Sequence, residues 1–123
     1  MHAGYYIHIE PGKSLWGGIY MPQADVLKKV RQEVMYQIND FKSIIQDKNF
    51  VKTYNQLEGD KLLRPPKDFP ADFPDIELLK FKSYVAMHGL SDTDVLNDNF
   101  KTHITNVFKA LHPFNAFLNK ALD

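Results

Sequence analysis

Three cationic side chains sit where positive charge needs a reason. Arg31 follows Leu27 by one helical turn, beside an apolar stripe. Arg64 follows Leu62-Leu63 and precedes Pro65-Pro66, and Lys82 opens an extended run. Arg31 and Arg64 are the only two arginines in the chain. A guanidinium held against apolar residues meets either an internal carboxylate or an anionic ligand gripped by its planar fork. The first option makes Glu10, Asp60 and Glu33 the candidate partners. The second makes Arg31, Arg64 and Lys82 ligand-binding candidates, grouped with Trp16, Gly17 and Gly18.

His8 and Glu10 alternate onto one face of a strand and form a candidate catalytic pair, one histidine and one carboxylate for proton transfer. The same two residues are metal-ligand types, but a metal needs a third donor, for which His88 and, more weakly, Asp60 are the available choices. A half-solvated strand face with a hydrogen-bonded histidine is the preferred reading, so no metal and no cofactor is assigned. Gly12-Lys13-Ser14 ends like a phosphate-binding loop. The first glycine of G-x-x-x-x-G-K-[ST] would fall at Ile7, inside a strand pattern, and LWGGIY after it reads as extended rather than helical. A tight turn with a solvated Lys13 is the preferred reading. None of Ser14, Ser43, Ser83 and Ser91 lies in a G-x-S-x-G elbow, and there is no cysteine for a disulfide, a thiolate or a zinc site.

The elements that must position these residues follow from periodicity. Tyr5, Ile7 and Ile9 alternate with Tyr6, His8 and Glu10, which predicts a strand ended by Pro11-Gly12. Leu15 to Tyr20 is a second extended piece, where Gly17-Gly18 implies a bulge or a close backbone approach. Leu27, Val30, Val34, Ile38, Phe41 and Ile45 recur at steps of three and four and predict one helix from Pro22 to Gln46. Asp47 caps a shorter helix with Phe50, Val51, Tyr54 and Leu57 inward, closed by Gly59. KLLRPPKDFPADFP is an ordered irregular connection that must bury Leu62, Leu63, Phe69 and Phe73. Pro74 begins a turn carrying Ile76, Leu78 and Leu79, and Lys82 to His88 is a third strand. Ser91 and Asp94 pair as a cap. A helix carries Phe100, Ile104, Val107, Phe108 and Leu111, breaks at His112-Pro113, and is followed by a last helix with Phe114, Phe117, Leu118 and Ala121. The order is α+β, a small antiparallel sheet with helices packed on it, in a single domain over residues 1–123.

The 123 residues are 44% hydrophobic and 13% aromatic, enough for one core. Lys plus Arg and Asp plus Glu are equal at 15 each. A neutral chain has no general pull on nucleic acid or anionic lipid. No apolar run is long enough to span a bilayer, and the N-terminus lacks the basic and apolar blocks of a signal peptide, so a cytoplasmic protein is expected. Trp16 is the sole tryptophan, and core packing explains it as well as a pocket does.

Taken in order, Tyr5-Tyr6-Ile7-His8-Ile9-Glu10-Pro11-Gly12, Gly17-Gly18-Ile19-Tyr20-Met21-Pro22, Leu27 and Arg31 resemble a widespread family, domain of unknown function number twenty-four sixty-one. The likeness continues through Phe50, Gly59-Asp60-Lys61-Leu62, Arg64-Pro65-Pro66, Leu79, Lys82-Ser83-Tyr84 and Pro113-Phe114. The resemblance implies an α+β domain with no assigned activity, cofactor or partner, matching the C-terminal half of a longer family domain. It places His8, Glu10, Gly17, Gly18, Arg31, Arg64 and Lys82 at recurrent motif positions. A strand without its usual neighbour would expose an edge and invite a second copy. Two functions are expected in competition. One is a small-ligand-binding or enzymatic domain with an anion-accepting site near Gly17-Gly18. The other is a non-catalytic interaction module that forms homo-oligomers or docks through a strand edge or its C-terminal aromatic helices.

Overall fold

The computed structural model describes residues 4–8, 14–90 and 98–122, with the backbone alone for residues 5–8 and 14. Glu10, the Pro11-Gly12 turn and the Ser91–Asp94 cap lie outside the described residues. Strands β1 (Gly4–His8), β2 (Ser14–Ile19) and β3 (Tyr84–Gly89) form an antiparallel sheet in the order β1-β2-β3. Pairing is one to one, from Gly4 opposite Gly18 to His8 opposite Ser14, and from Ser14 opposite Gly89 to Ile19 opposite Tyr84. The glycine pair is therefore mid-strand and makes no bulge.

Close approach is the reason for both glycines. A Cβ on Gly17 would overlap Leu111 and lie 2.6 Å from the Gly4 carbonyl oxygen, so this position is where a helix presses on the sheet. Gly18 has φ +114°, and a Cβ there would overlap the Tyr84 carbonyl oxygen. Alternation places Leu15, Gly17 and Ile19 opposite His88, Ala86 and Tyr84 in one set of rows. Leu15, Ile19, Tyr84 and Ala86 are fully buried under the helices. The alternate rows carry Trp16, half-buried, and Met87, exposed.

Helices α1 (Ala24–Tyr36), α2 (Ile38–Ile45) and α3 (Lys48–Tyr54) follow β2. The expected single helix is two, because Gln37 at φ −112° and ψ 40° leaves helical geometry. Hydrogen bonds continue across the break, from the Gln37 N–H to Glu33 and from the Phe41 N–H to the Gln37 carbonyl. The break leaves Tyr36 exposed, and Val30, Val34 and Phe41 all remain buried. Pro22 precedes the N-cap residue Gln23 and so stands outside the helix. Asp47 does cap α3, accepting from the Asn49 N–H at 3.0 Å. Phe50, Tyr54 and Leu57 are buried, but Val51 points outward, and Asn55 at φ 67° ends the helix in place of Gly59. The proline-rich connection buries Pro66 and half-buries Leu62, Phe69 and Phe73, whereas Leu63 is 97% exposed. A 3₁₀ turn at Ile76–Leu79 leads into β3.

Helix α4 (Phe100–Leu122) is continuous through Pro113. A proline in a helix interior removes one hydrogen bond and costs about 3 kcal/mol. Here Val107 and Leu111 before it, and Phe114, Phe117 and Leu118 after it, are all buried in one core, so packing on both sides of the proline keeps the helix whole. Phe41 is the hub, with ring centroids at 6.1 Å to Tyr84, 6.3 Å to Phe114 and 5.2 Å to Phe117.

Candidate functional site

Three elements converge on a cleft of about 530 Å³. One turn of α3 supplies Asn49, Lys52 and Thr53, at i, i+3 and i+4 on one helical face. The front of α4 supplies His103, Asn106, Val107 and Ala110 in the same periodicity, with Lys109 at the rim. The end of β3 supplies His88 between them. Tyr54 fixes the two helices to each other, since its hydroxyl donates to the Val107 carbonyl at 2.8 Å. Its ring meets the His88 imidazole edge-on, with centroids 6.3 Å apart.

The two imidazoles face each other. His88 Nδ1 lies 2.7 Å from the Thr53 carbonyl oxygen, and its Nε2 lies 3.3 Å from Nε2 of His103. A carbonyl only accepts, so Nδ1 of His88 carries the proton and, in the neutral ring, Nε2 presents a lone pair to His103. Thr53 is in the last turn of α3, where carbonyls have no helical partner, so the bond satisfies the helix end and orients the ring together.

Among the described residues the formal charge lining the cleft has one sign. Among the described residues the lining contains Lys52 and Lys109 and no carboxylate. Among the described residues the ion pairs occupy other lysines: Lys28 with Asp68, Lys42 with Asp75, and Lys61 and Lys80 with Glu77. Lys52 and Lys109 enter none of these and are exposed at the mouth of the cleft.

The residues expected to form a site lie outside this cleft. Arg31 is half-buried against β3, where its Nη2 donates to the Phe81 carbonyl at 2.9 Å. Among the described residues no carboxylate pairs with it, Glu33 and Asp60 included; Glu10 lies outside the described residues. Burial lowers its pKa, and the neighbouring Tyr84 phenol partly opposes that shift. Its Nε is buried with no hydrogen-bond partner. Lys82 is adjacent in sequence to Phe81 and exposed, and its N–H donates to the Asp60 carbonyl at 2.9 Å. Gly18 and Ile19 pair with Val85 and Tyr84, so Arg31, Lys82 and the glycine pair share one end of the sheet. Arg64 is exposed on the proline-rich connection. Trp16 is half-buried, with its ring edge-on to Tyr20 at 5.9 Å. His8 pairs with Ser14 in the row that ends at Gly89.

His103, Lys52, Lys109, Asn49 and Asn106 were not singled out by the sequence. The available signal was a polar face, Asn49-Lys52-Thr53 and His103-Asn106-Lys109, repeating at helical spacing beside each apolar stripe. Of the polar cleft residues only His88 was named, as a third ligand for His8 and Glu10, and Val107 was read as core.

No described helix is long and apolar enough to cross a membrane. The family model described as "Conserved hypothetical protein (DUF2461)" matches residues 1–117. No curated protein and no solved structure matches the chain.

Proposed function

The chain belongs to the DUF2461 family, and from that premise we propose a small-ligand-binding or enzymatic domain whose ligand carries an anionic group, seated in the cleft between α3, α4 and β3. The observation that carries the proposal is the cleft's charge: among the described residues every formally charged group lining it is a lysine, with amide and hydroxyl donors between them. Ammonium groups with no carboxylate partner among the described residues, over a concave and partly apolar floor, attract and orient a small anion. A volume of about 530 Å³ suits a metabolite and not a polymer. The chain's zero formal charge at pH 7 supports the same choice over nucleic acid or a membrane surface. The His88–His103 pair, in place of His8 and Glu10, supplies groups able to accept and return a proton. We take the domain to act in the cytoplasm.

The test is calorimetric titration with inorganic phosphate, a simple phosphate monoester and a dicarboxylate. Lys52→Met with Lys109→Met is expected to weaken the bound anion at least tenfold, and Arg31→Met to leave it unchanged. If Arg31→Met abolishes binding and the double lysine variant does not, the anion sits at the Gly18–Tyr84 end of the sheet and the cleft reading is wrong. If none of these anions binds, the ligand-binding reading falls.

A second reading has its own observation. Tyr20, Met21 and Met87 are 65%, 64% and 45% exposed, and Trp16 lies beside Tyr20. An apolar face of this type fits an interaction module that pairs with a second copy. Sedimentation at increasing concentration tests it: a chain monomeric throughout excludes self-association.

A further inference from the structure

We infer that Nδ1 of His103 is the atom that takes up a proton when an oxyanion enters the cleft, with His88 as the positioning residue that fixes its tautomer. The inference rests on the anion reading above and adds a proton to it: oxyanion and hydrogen ion bind together.

The assignment follows from the four ring nitrogens. The Thr53 carbonyl, 2.7 Å from Nδ1 of His88, can only accept, so that nitrogen carries a proton. In the neutral ring Nε2 of His88 is then a bare lone pair. Nε2 of His103 is hydrogen-bonded to it at 3.3 Å, so His103 is the donor and carries its own proton on Nε2. Three nitrogens are committed, and Nδ1 of His103 keeps its lone pair. Among the described residues that atom makes no hydrogen bond, and the buried polar atoms without a partner are Arg31 Nε and Asn115 Oδ1. The free lone pair therefore opens to the cleft that His103 lines.

A proton added there breaks nothing. Nε2–H of His103 goes on donating to His88, and the bond strengthens because its donor is charged. His88 still donates to the Thr53 carbonyl. A second proton has no place, since on Nε2 of His88 it would face the N–H of His103. Uptake stops at one.

The surroundings couple this proton to the anion. Among the described residues the other charged groups lining the cleft are Lys52 from α3 and Lys109 from α4. The Tyr54 phenol of α3, whose ring meets His88, is committed to the Val107 carbonyl. Protonated His103 is thus a third cation in an empty cleft and a third cationic donor in one that holds an oxyanion. Each of the two then favours binding of the other by the same factor. Affinity for the oxyanion falls as pH rises, by at most about tenfold per unit, the limit for one linked proton.

The experiment uses the full chain and sulfate, whose charge is constant around neutral pH. Calorimetric titration in two buffers of unlike ionisation heat counts the protons. Net uptake approaching one proton per sulfate is expected, with affinity falling as pH rises. His103→Gln is expected to bind sulfate at least tenfold more weakly and to take up no proton, while His112→Gln keeps both properties. Nitrogen-15 spectra of the wild-type histidines make the test independent of variant folding. In the anion-free neutral pair, Nδ1 of His88 and Nε2 of His103 should show proton-bearing shifts and the other two nitrogens bare ones. Sulfate should move Nδ1 of His103 to the proton-bearing value. Sulfate bound without proton uptake, or a neutral His103 with its proton on Nδ1, overturns the inference and leaves the anion reading standing. Sulfate that fails to bind where phosphate binds does the same. If neither binds, both fall.

Discussion

The three glycines Gly18, Gly59 and Gly89 make a graded probe of how the sheet is held. Gly18→Ala meets two obstacles. Its φ of +114° is one that side-chain-bearing residues rarely adopt, and the new Cβ would overlap the Tyr84 carbonyl oxygen, with the Tyr84 carbonyl carbon and the Val85 Cα each at 3.0 Å. These are backbone atoms of the paired strand, so relief requires parting β2 from β3. Gly59→Ala meets the first obstacle alone: φ is +111°, but its nearest neighbour would be the Ser83 carbonyl oxygen at an ordinary 3.7 Å. Gly89→Ala meets neither, since nothing lies within 4 Å. Backbone strain of this type costs about 1–3 kcal/mol, and overpacking adds about 1–3 kcal/mol more. Losses of roughly 2–6 kcal/mol are expected at Gly18 and roughly 1–3 at Gly59. At Gly89 the expected change is a gain of about 0.4–1 kcal/mol from a less flexible unfolded chain. A domain of this size has only about 5–15 kcal/mol in total, so Gly18→Ala approaches the limit of folding. Urea denaturation, read at constant slope, gives all three values. Equal losses at Gly18 and Gly59 would show that the strand contact is not tight, and a loss at Gly89 as large as at Gly59 would refute the division into strain and clash.

Tyr84 gives a pH-dependent prediction. Burial raises its phenol pKa well above the ordinary value, the nearby Arg31 guanidinium only partly offsetting this, and its hydroxyl donates to the Leu78 carbonyl at 2.7 Å. The unfolded chain releases this proton near pH ~10 and the folded chain does not. The stabilisation is therefore complete below that pH and declines as pH rises, by about 1.4 kcal/mol per unit. Urea melts between about pH 9 and 11 should show a steeper loss for the wild type than for Tyr84→Phe, and parallel curves would count against the burial argument. Arg31→Met removes one charge-assisted hydrogen bond together with a half-buried charge that has no carboxylate partner among the described residues. The two effects oppose, and stability is expected to change by no more than about 1 kcal/mol. A loss above about 3 kcal/mol in the same melts would mean that the guanidinium is a structural keystone.

Period alone located the three strands and most of the helical residues, because alternation and the three-four repeat are set by which side chains must face Phe41 and Leu111. It could not locate the break at Gln37. Val34, Ile38, Phe41 and Ile45 keep their spacing across it, and neither glycine nor proline marks it. The opposite error arose at Pro113, where a strong local breaker is overridden by the burial of Phe114, Phe117 and Leu118. The glycine pair was read as a bulge or a close approach; it makes no bulge and is a close approach, and what approaches is Leu111 and the Tyr84 backbone, which only the fold brings near. The cleft was hidden for the same reason. His88 and His103 are fifteen residues apart on unlike elements, and Lys52 comes from a third. Nothing in their local sequence sets them apart from solvated surface.

Pro113 divides the longest helix into two mechanical parts. It has no N–H to offer the carbonyl of Lys109, a residue whose side chain rims the cleft. Ahead of that missing rung are His103, Asn106 and Lys109; behind it are the aromatic residues wedged against Phe41. A rod with one rung removed bends most easily there, so strain on its front end is relieved at this joint ahead of the wedge behind. The polar face of the front end can therefore drift over evolutionary time without the interior having to be solved again.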